Sequence, residues 1–453
     1  MPTLPGVPVS RKRKKKAKSG GKRNTGRPQQ HADQREPGAA PERDLSELAK
    51  AFQGLSAYRA ELDRTRASRA AMLATRLVTD LVRATAEQPD MIVSDAVCER
   101  LGAVLAQEEQ LPVDEGVGPR HLAEALPAAA EAAVTEALTA TTSPADTWRA
   151  PWQVLTALRQ VLPHPDDDAV IEAMDRLRDL PTGRVLPGSS PDPDVSGPVL
   201  WASDRYGSRF AVIAPVTTAE EPVRWYLWDI DACGHDAFTV HSAYYPSSEA
   251  AFTAWQDGVG ETASAGTVPA LADNQSLVTS VLPTEMGFMR PGGESREQLA
   301  EYHRSKRLAE LVRHAMPLAD LRPDAGLTAA TAATEFAAWH RAHLSDDSAP
   351  PESLDELAEE MAESWNVSDI DAVYATCSPH RVALCVLHLR SYYVDDFADE
   401  LVALLPDWTR WLAGRSGLPQ ELADRSLASA HGRPHPQLSQ DDREADYFAR
   451  VIE

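Results

Sequence analysis

Apolar residues recur at helical spacing over most of this chain and at strand spacing over one short central part. Between Thr65 and Ala86, positions Ala70, Ala74, Leu77, Val78, Leu81 and Val82 follow an i, i+4, i+7, i+8 pattern, which marks one buried face of a long helix. Asp44, Leu45, Leu48 and Phe52 open an amphipathic stretch ahead of it, and Pro89 stands just beyond its end, where helices stop. Ser94 is placed to cap the next helix, with Val97, Leu101, Val104 and Leu105 turned inward. Further helices are expected near 120–140, 146–162 and 167–180, which makes residues 44–180 a helical bundle.

The period then changes. Pro181 to Pro198 holds Gly183, Pro187, Gly188, Pro191, Pro193 and Gly197 and reads as a linker over 181–198. Val199–Ser203, Arg209–Pro215, Arg224–Ile230 and Phe238–Tyr245 are rich in Val, Ile, Trp, Tyr and Phe, and so are strand-like. Their short connections, holding Gly207, Pro222 and Gly234, favour an antiparallel meander. Ser247 and Ser248 start a helix through Phe252 and Trp255, giving a small α+β (ββββα) module over 199–260. Residues 261–293 are Gly-, Pro- and Ser-rich and read as an irregular connector. Helical spacing resumes over 294–453, at about 294–316, 327–344, 352–365, 381–393, 396–412, 419–430 and 441–451. Val382 to Leu389 is apolar on nearly every side, the mark of a central, buried helix. The expected fold is therefore mainly α and multidomain, with helical bundles flanking a central antiparallel module.

Charge adds what periodicity does not. The chain of 453 residues has a net charge of −23, yet residues 1–43 carry 12 basic and 3 acidic side chains, while residues 44–453 carry 33 and 65. Six of the eight lysines lie between Lys12 and Lys22. Residues 1–43 have no hydrophobic periodicity and too little apolar surface to offset the entropy of ordering, so they are read as a disordered basic tail. The basic run is followed by polar residues, so no secretory signal is expected. The densest apolar run, Val382 to Leu387, is six residues, far short of the roughly 20 needed to span a bilayer. Cys98, Cys233, Cys377 and Cys385 are scattered with no CxxC spacing and read as reduced thiols of an intracellular, cytoplasmic protein.

The tail carries Arg11, Lys12, Arg13, Lys14, Lys15, Lys16, Lys18, Lys22, Arg23 and Arg27 with no acid among them. Such a run neutralises phosphates and releases condensed counterions. These ten residues are the candidate nucleic-acid-binding set, for DNA or RNA alike. Within it, Lys22-Arg23-Asn24-Thr25-Gly26-Arg27-Pro28 resembles an AT-hook, the short minor-groove motif built around Arg-Gly-Arg-Pro. In that motif the Gly lets the backbone lie on the groove floor while the Arg side chains run along it. Here Thr25 stands where the first core Arg belongs, and one groove-tracking cation is missing.

Two basic stripes in the body invite the same reading. Arg66, Arg69, Arg76 and Arg83 lie along the long helix, but Asp80 is placed to pair with Arg76 or Arg83. His303, Arg304, Lys306, Arg307 and Arg313 form a second face, diluted by Glu301 and Glu310. Both fit a solvated, salt-bridged helix surface better than a phosphate track.

Chemistry-bearing motifs are sparse. Cys377-Ser-Pro-His380 and Cys385-Val-Leu-His388 form two CxxH units of zinc-ligand type. With a helix beginning at Pro379, one straight segment spreads Cys377 and His388 over about 16 Å, at about 1.5 Å per residue, so buried core residues are the expectation. Asp229-Ile-Asp231-Ala-Cys233-Gly234 imitates the start of an EF-hand loop, but Val240 occupies the position of its final Glu. His340 and His343 share a helix face beside Trp339 without an HExxH Glu, and Asp395, Asp396, Asp399 and Glu400 sit at a helix start, where acids meet the positive end of the dipole.

No catalytic residue, cofactor or metal ligand is assigned on this basis. The leading reading is a non-enzymatic protein that associates with nucleic acid or a nucleoprotein through its tail. The alternative is a scaffold whose tail contacts an acidic protein surface or its own body. An enzyme comes third, its chemistry placed in the strand module around Trp225, Trp228, Asp229, Asp231 and His235.

Overall fold

The computed structural model describes residues 45–435, apart from 113–114, 141–145, 182–184, 189–191, 219–221, 235–236, 265–281, 283–295, 317–326, 344–352 and 366–372; side chains are described from 56 onward. The basic tail and the expected helix at 441–451 lie outside the described residues. Within them the chain forms twelve α-helices and one five-stranded antiparallel sheet, the mainly α architecture with a central antiparallel module that the periodicity predicts.

Five helices build the first core: α1 (Leu45–Glu87), α2 (Val93–Glu108), α3 (Pro119–Thr139), α4 (Arg149–Val161) and α5 (Asp166–Arg178). The amphipathic opening and the long helix are one continuous α1. Ala70, Ala74, Leu77, Val78 and Leu81 are buried as expected, against Leu101 and Leu105 of α2 and Leu122, Leu126 and Val134 of α3 within one cluster. Ser94 does not cap α2. The helix begins at Val93, Ile92 is its N-cap, and no side-chain cap forms. Asp95, in the first turn, instead takes up arginines from elsewhere in the chain.

The sheet consists of β1 (Asp194–Val195), β2 (Leu200–Ser203), β3 (Arg209–Thr217), β4 (Arg224–Asp231) and β5 (Phe238–Tyr245). β3 pairs β4 and β4 pairs β5, while β1 and β2 share the other edge of β3, at Val216–Thr217 and Phe210–Ile213. β1 lies in the segment read as linker. Two residues held by main-chain pairing alone have no side-chain period to betray them. α6 (Ser248–Val259), capped by Ser247 Oγ accepting the N–H of Ala250 at 3.2 Å, covers one face through Ala251, Phe252 and Trp255 against Ile213 and Leu227.

The other face packs on α7 (Arg296–Ala315), with Leu308 and Val312 against Phe210, Tyr226 and Trp228. The N-terminal half of α7 joins the bundle, where Leu299 belongs to the first core. There Gly102 of α2 sits so close that a Cβ would lie 2.5 Å from the Ala300 Cα. The basic face expected to be solvated on α7 is buried at His303, Arg304 and Arg307, while Lys306 and Arg313 are half-buried. Arg304 pairs with Asp95 and with Glu301 (2.8 Å), Arg307 pairs with Asp167 (2.8 Å), and His303 donates to the Pro119 carbonyl (3.2 Å). A helix wedged between two cores has little surface to give to water, so its cations meet carboxylates of the neighbouring layers.

α8 (Ala329–His343), α9 (Leu354–Trp365), α10 (Pro379–Tyr392), α11 (Asp395–Arg415) and α12 (Gln420–Ala430) form the remaining core around Phe336, Trp365, Trp408 and Leu412. α10 is not buried all round. Arg381, Val382, Cys385 and Leu389 are buried, while Ala383, Leu384, Val386 and Leu387 are only half-buried. No helix among the described residues is long and apolar enough to cross a membrane.

Candidate functional site

The α6 face of the sheet turns polar where β3 begins and β4 ends. Alternation along β4 places Asp229 and Asp231 on the same side as Leu227, and Arg209 lies opposite Asp231 on β3. Arg209 clasps Asp229 with two bonds, Nε to Oδ1 at 2.8 Å and Nη2 to Oδ2 at 2.5 Å. Burial pushes the Asp229 carboxyl up, against the pull of Arg209. Asp204 joins them from the β2–β3 turn, its Oδ1 accepting the N–H groups of Ser208 (2.8 Å) and Arg209 (3.0 Å). Burial raises its pKa to about 6, opposed by those N–H groups.

A β-bulge shapes what lies beside this cluster. Asp229 pairs with His241 and Ile230 with Thr239, which leaves Val240 as an extra residue in β5. His241 therefore comes to the Asp229 side, where its Nε2 hydrogen-bonds the Tyr245 hydroxyl at 2.9 Å. Arg209, Asp229, Val240, His241 and Tyr245 line a cavity of about 420 Å³ whose other wall is Ala254 and Gly258 of α6. The small α6 residues leave the space open.

On the far side of Asp231 the C-terminal helices close in. Ser378 caps α10, accepting the N–H of Arg381 at 3.3 Å, and Pro379 occupies the first helical position. His380 thereby points its Nδ1 at Asp231 Oδ2, 2.9 Å away. Asp231 Oδ1 accepts the N–H of Cys233 at 2.8 Å, and the Cys233 thiol meets the Ser378 hydroxyl at 3.1 Å. Oxygen, sulfur and nitrogen donor atoms of Asp231, Cys233 and His380 all lie within 4.8 Å of one another. Burial works against the Asp231 charge, but His380 and the Cys233 N–H hold this carboxyl below the usual carboxylate range. The same burial, with Asp231 alongside, pushes the Cys233 thiol well up. His435 stacks on the His380 ring at 4.8 Å, and burial followed by the His380 charge lowers its pKa to about 4.

Two motifs that the sequence presents as unrelated are thus joined. Asp231 and Cys233 belong to the imitation EF-hand segment, and His380 to the first CxxH unit. The CxxH units themselves do not converge. Cys377 and Cys385 lie in the C-terminal core, while His388 stacks on Tyr392 at 5.4 Å. His340 faces Asp407 at 3.2 Å, but His343 stacks on Trp339 at 4.5 Å, so the two imidazoles serve different neighbours. Of the strand-module residues, Trp228 is fully buried against α7, where its Nε1 donates to the Ser305 carbonyl at 3.3 Å. Trp225 is half-buried on the α6 side, and His235 lies outside the described residues. Arg209, His241 and His435 belong to no motif, and Ser378 is only a spacer within the first CxxH unit. The register of β3 and β5, the start of α10 and the segment after α12 bring them in.

In the arginine stripe of α1, Arg69 and Arg83 pair with carboxylates, while Arg76 is exposed. Arg69 holds Glu108 through Nε at 2.7 Å and Nη2 at 2.9 Å, and Arg83 holds Asp80 at 2.5 Å. The ten basic tail residues lie outside the described residues. Comparison with known proteins finds no matching family model, no matching curated protein and no matching solved structure.

Proposed function

We propose that this is an intracellular, cytoplasmic and non-enzymatic protein that associates with nucleic acid or a nucleoprotein through Arg11, Lys12, Arg13, Lys14, Lys15, Lys16, Lys18, Lys22, Arg23 and Arg27. One observation carries the reading. Within the body's two basic stripes, Arg69 and Arg83 on α1 and Arg304 and Arg307 on α7 are engaged with its own carboxylates. The dense positive charge of the N-terminal run then stands against a remainder of 33 basic and 65 acidic side chains. A body so acidic repels phosphates, and a cationic run attached to it is the segment able to grip them.

The test is a salt titration of binding to duplex DNA and to RNA. It compares the natural chain with one in which all ten basic residues are replaced by glutamine. Engagement of about half the charges gives a slope of log K against log salt near −4 to −5. The glutamine chain is expected to lose both the affinity and the slope, and equal behaviour of the two chains overturns the reading. The same acidity favours a second reading, in which the run contacts an acidic protein surface or the body itself. Crosslinks from the run to the body, without nucleic-acid affinity, select that one.

A further inference from the structure

We propose that Asp231, Cys233 and His380 form a binding site for a divalent cation of the zinc class. The site joins the strand module to the C-terminal helices and is independent of nucleic-acid association by the N-terminal run.

The donor set is the first argument. One carboxylate oxygen, one sulfur and one imidazole nitrogen within 4.8 Å of one another match the mixed O, S and N ligands that zinc accepts, with a fourth position left for water or another donor. Calcium and magnesium want oxygen alone. With Asp231 and Cys233 both ionised, a divalent ion gives the three-ligand site no net charge, which suits its burial.

The surroundings of Cys233 are the second. Cys98, Cys377 and Cys385 each belong to an apolar core. Cys233, equally buried at 5 % exposure, belongs to none. Its neighbours are a carboxylate, a hydroxyl and an imidazole, a poor setting for a thiol that serves only as packing. The outer groups are already in place to orient the ligands. The Cys233 N–H fixes one Asp231 oxygen, and the Ser378 hydroxyl, itself fixed as the α10 cap, stands ready to donate to a thiolate.

Arg381 supplies a third argument. It is 3 % exposed at the same junction, donates to the Trp365 carbonyl at 3.0 Å, and has Nε and Nη1 without a hydrogen-bond partner. A thiolate at Cys233 sets negative charge near this buried cation. Ion binding displaces the Cys233 proton to bulk water, moves the His380 Nδ1 proton to Nε2 (or to bulk water where the ring is doubly protonated), and exchanges the direct Asp231–His380 hydrogen bond for bonds to the ion.

The experiment uses the full chain, loaded with zinc and dialysed, then reloaded with cobalt. One zinc per chain by elemental analysis and a near-ultraviolet cysteinate-to-cobalt charge-transfer band are expected. Cys233→Ser should abolish the band and His380→Gln should weaken binding at least tenfold, whereas Cys377→Ser should leave the band intact. Absence of the band in the natural chain overturns the proposal even if the variants fail to fold. A band that survives in folded Cys233→Ser protein overturns it as well.

Discussion

His303 illustrates how a residue that looks like part of a basic surface becomes a liability of the core. It is 2 % exposed, its ring held by the Pro119 carbonyl. Burial lowers its pKa from 6.5 to about 4, against the effect of that hydrogen bond. Between those values the unfolded chain binds more protons than the folded one. Stability therefore rises with pH through this window, and is lost as pH falls from 6.5 towards about 4. The loss from this one group is on the order of 3 kcal/mol. His435 acts in the same sense. Asp204, raised to about 6, acts in the opposite one, since a carboxyl with an elevated pKa weakens the fold as pH climbs past its ordinary value. Denaturant midpoints measured from pH 4 to pH 7 for the natural chain and for His303→Gln isolate the His303 share, because Gln retains a donor for Pro119. The variant should show a flatter profile, and parallel profiles would contradict the assignment. At this scale the sequence misleads, because a helical wheel does not say which side of α7 faces carboxylates rather than water.

At the scale of elements most of the fold is legible. The buried face of α1 is the one its spacing predicts, and the four longer strands and α6 fall where β-branched and aromatic residues cluster. What escapes is set by partners rather than by local pattern. β1 exists because β3 has an edge free beyond β2, and the α10 surface is half-buried because its apolar residues exceed what its neighbours cover. The meeting of α2 and α7 is likewise invisible in either helix alone. Gly102 lets their backbones touch, and the obstacle to any Cβ is the main chain of Ala300. Alanine is the better helix former by about 1 kcal/mol, yet Gly102→Ala is expected to destabilise by about 1 to 3 kcal/mol, because packed helices must part. Equilibrium unfolding in urea checks the sign. A neutral or stabilised variant would mean that α7 stands farther from α2 than described.

For the whole molecule, acidity is the dominant fact. Residues 44–453 carry 65 acidic against 33 basic side chains, and this excess repels itself in the folded state. The exposed i,i+3 pairs such as Arg64–Glu61 contribute little, and the buried pairs around α7 are sheltered from salt. Melting temperature should therefore rise between low salt and about 0.3 M NaCl, where the Debye length has shrunk to a few ångströms, and rise more steeply in a chain lacking residues 1–43. A fall with salt would show instead that surface attraction prevails. The candidate site belongs to this scale too. Asp231 and His380 are 149 positions apart, and each sits in a motif that reads as a failed version of something else. Only the docking of α10 on the end of β4 gives them a common meaning.

The seating of α7 also bears on how the molecule may be dissected. Cutting residues 44–180 free at the glycine- and proline-rich boundary would pull Leu299 from its socket. It would also strand the Asp95 and Asp167 carboxylates without Arg304 and Arg307. Such a fragment, though complete by its own periodicity, would carry an open wound of bare apolar surface and unanswered acid. Its natural dressing is a helix encoded more than a hundred residues downstream.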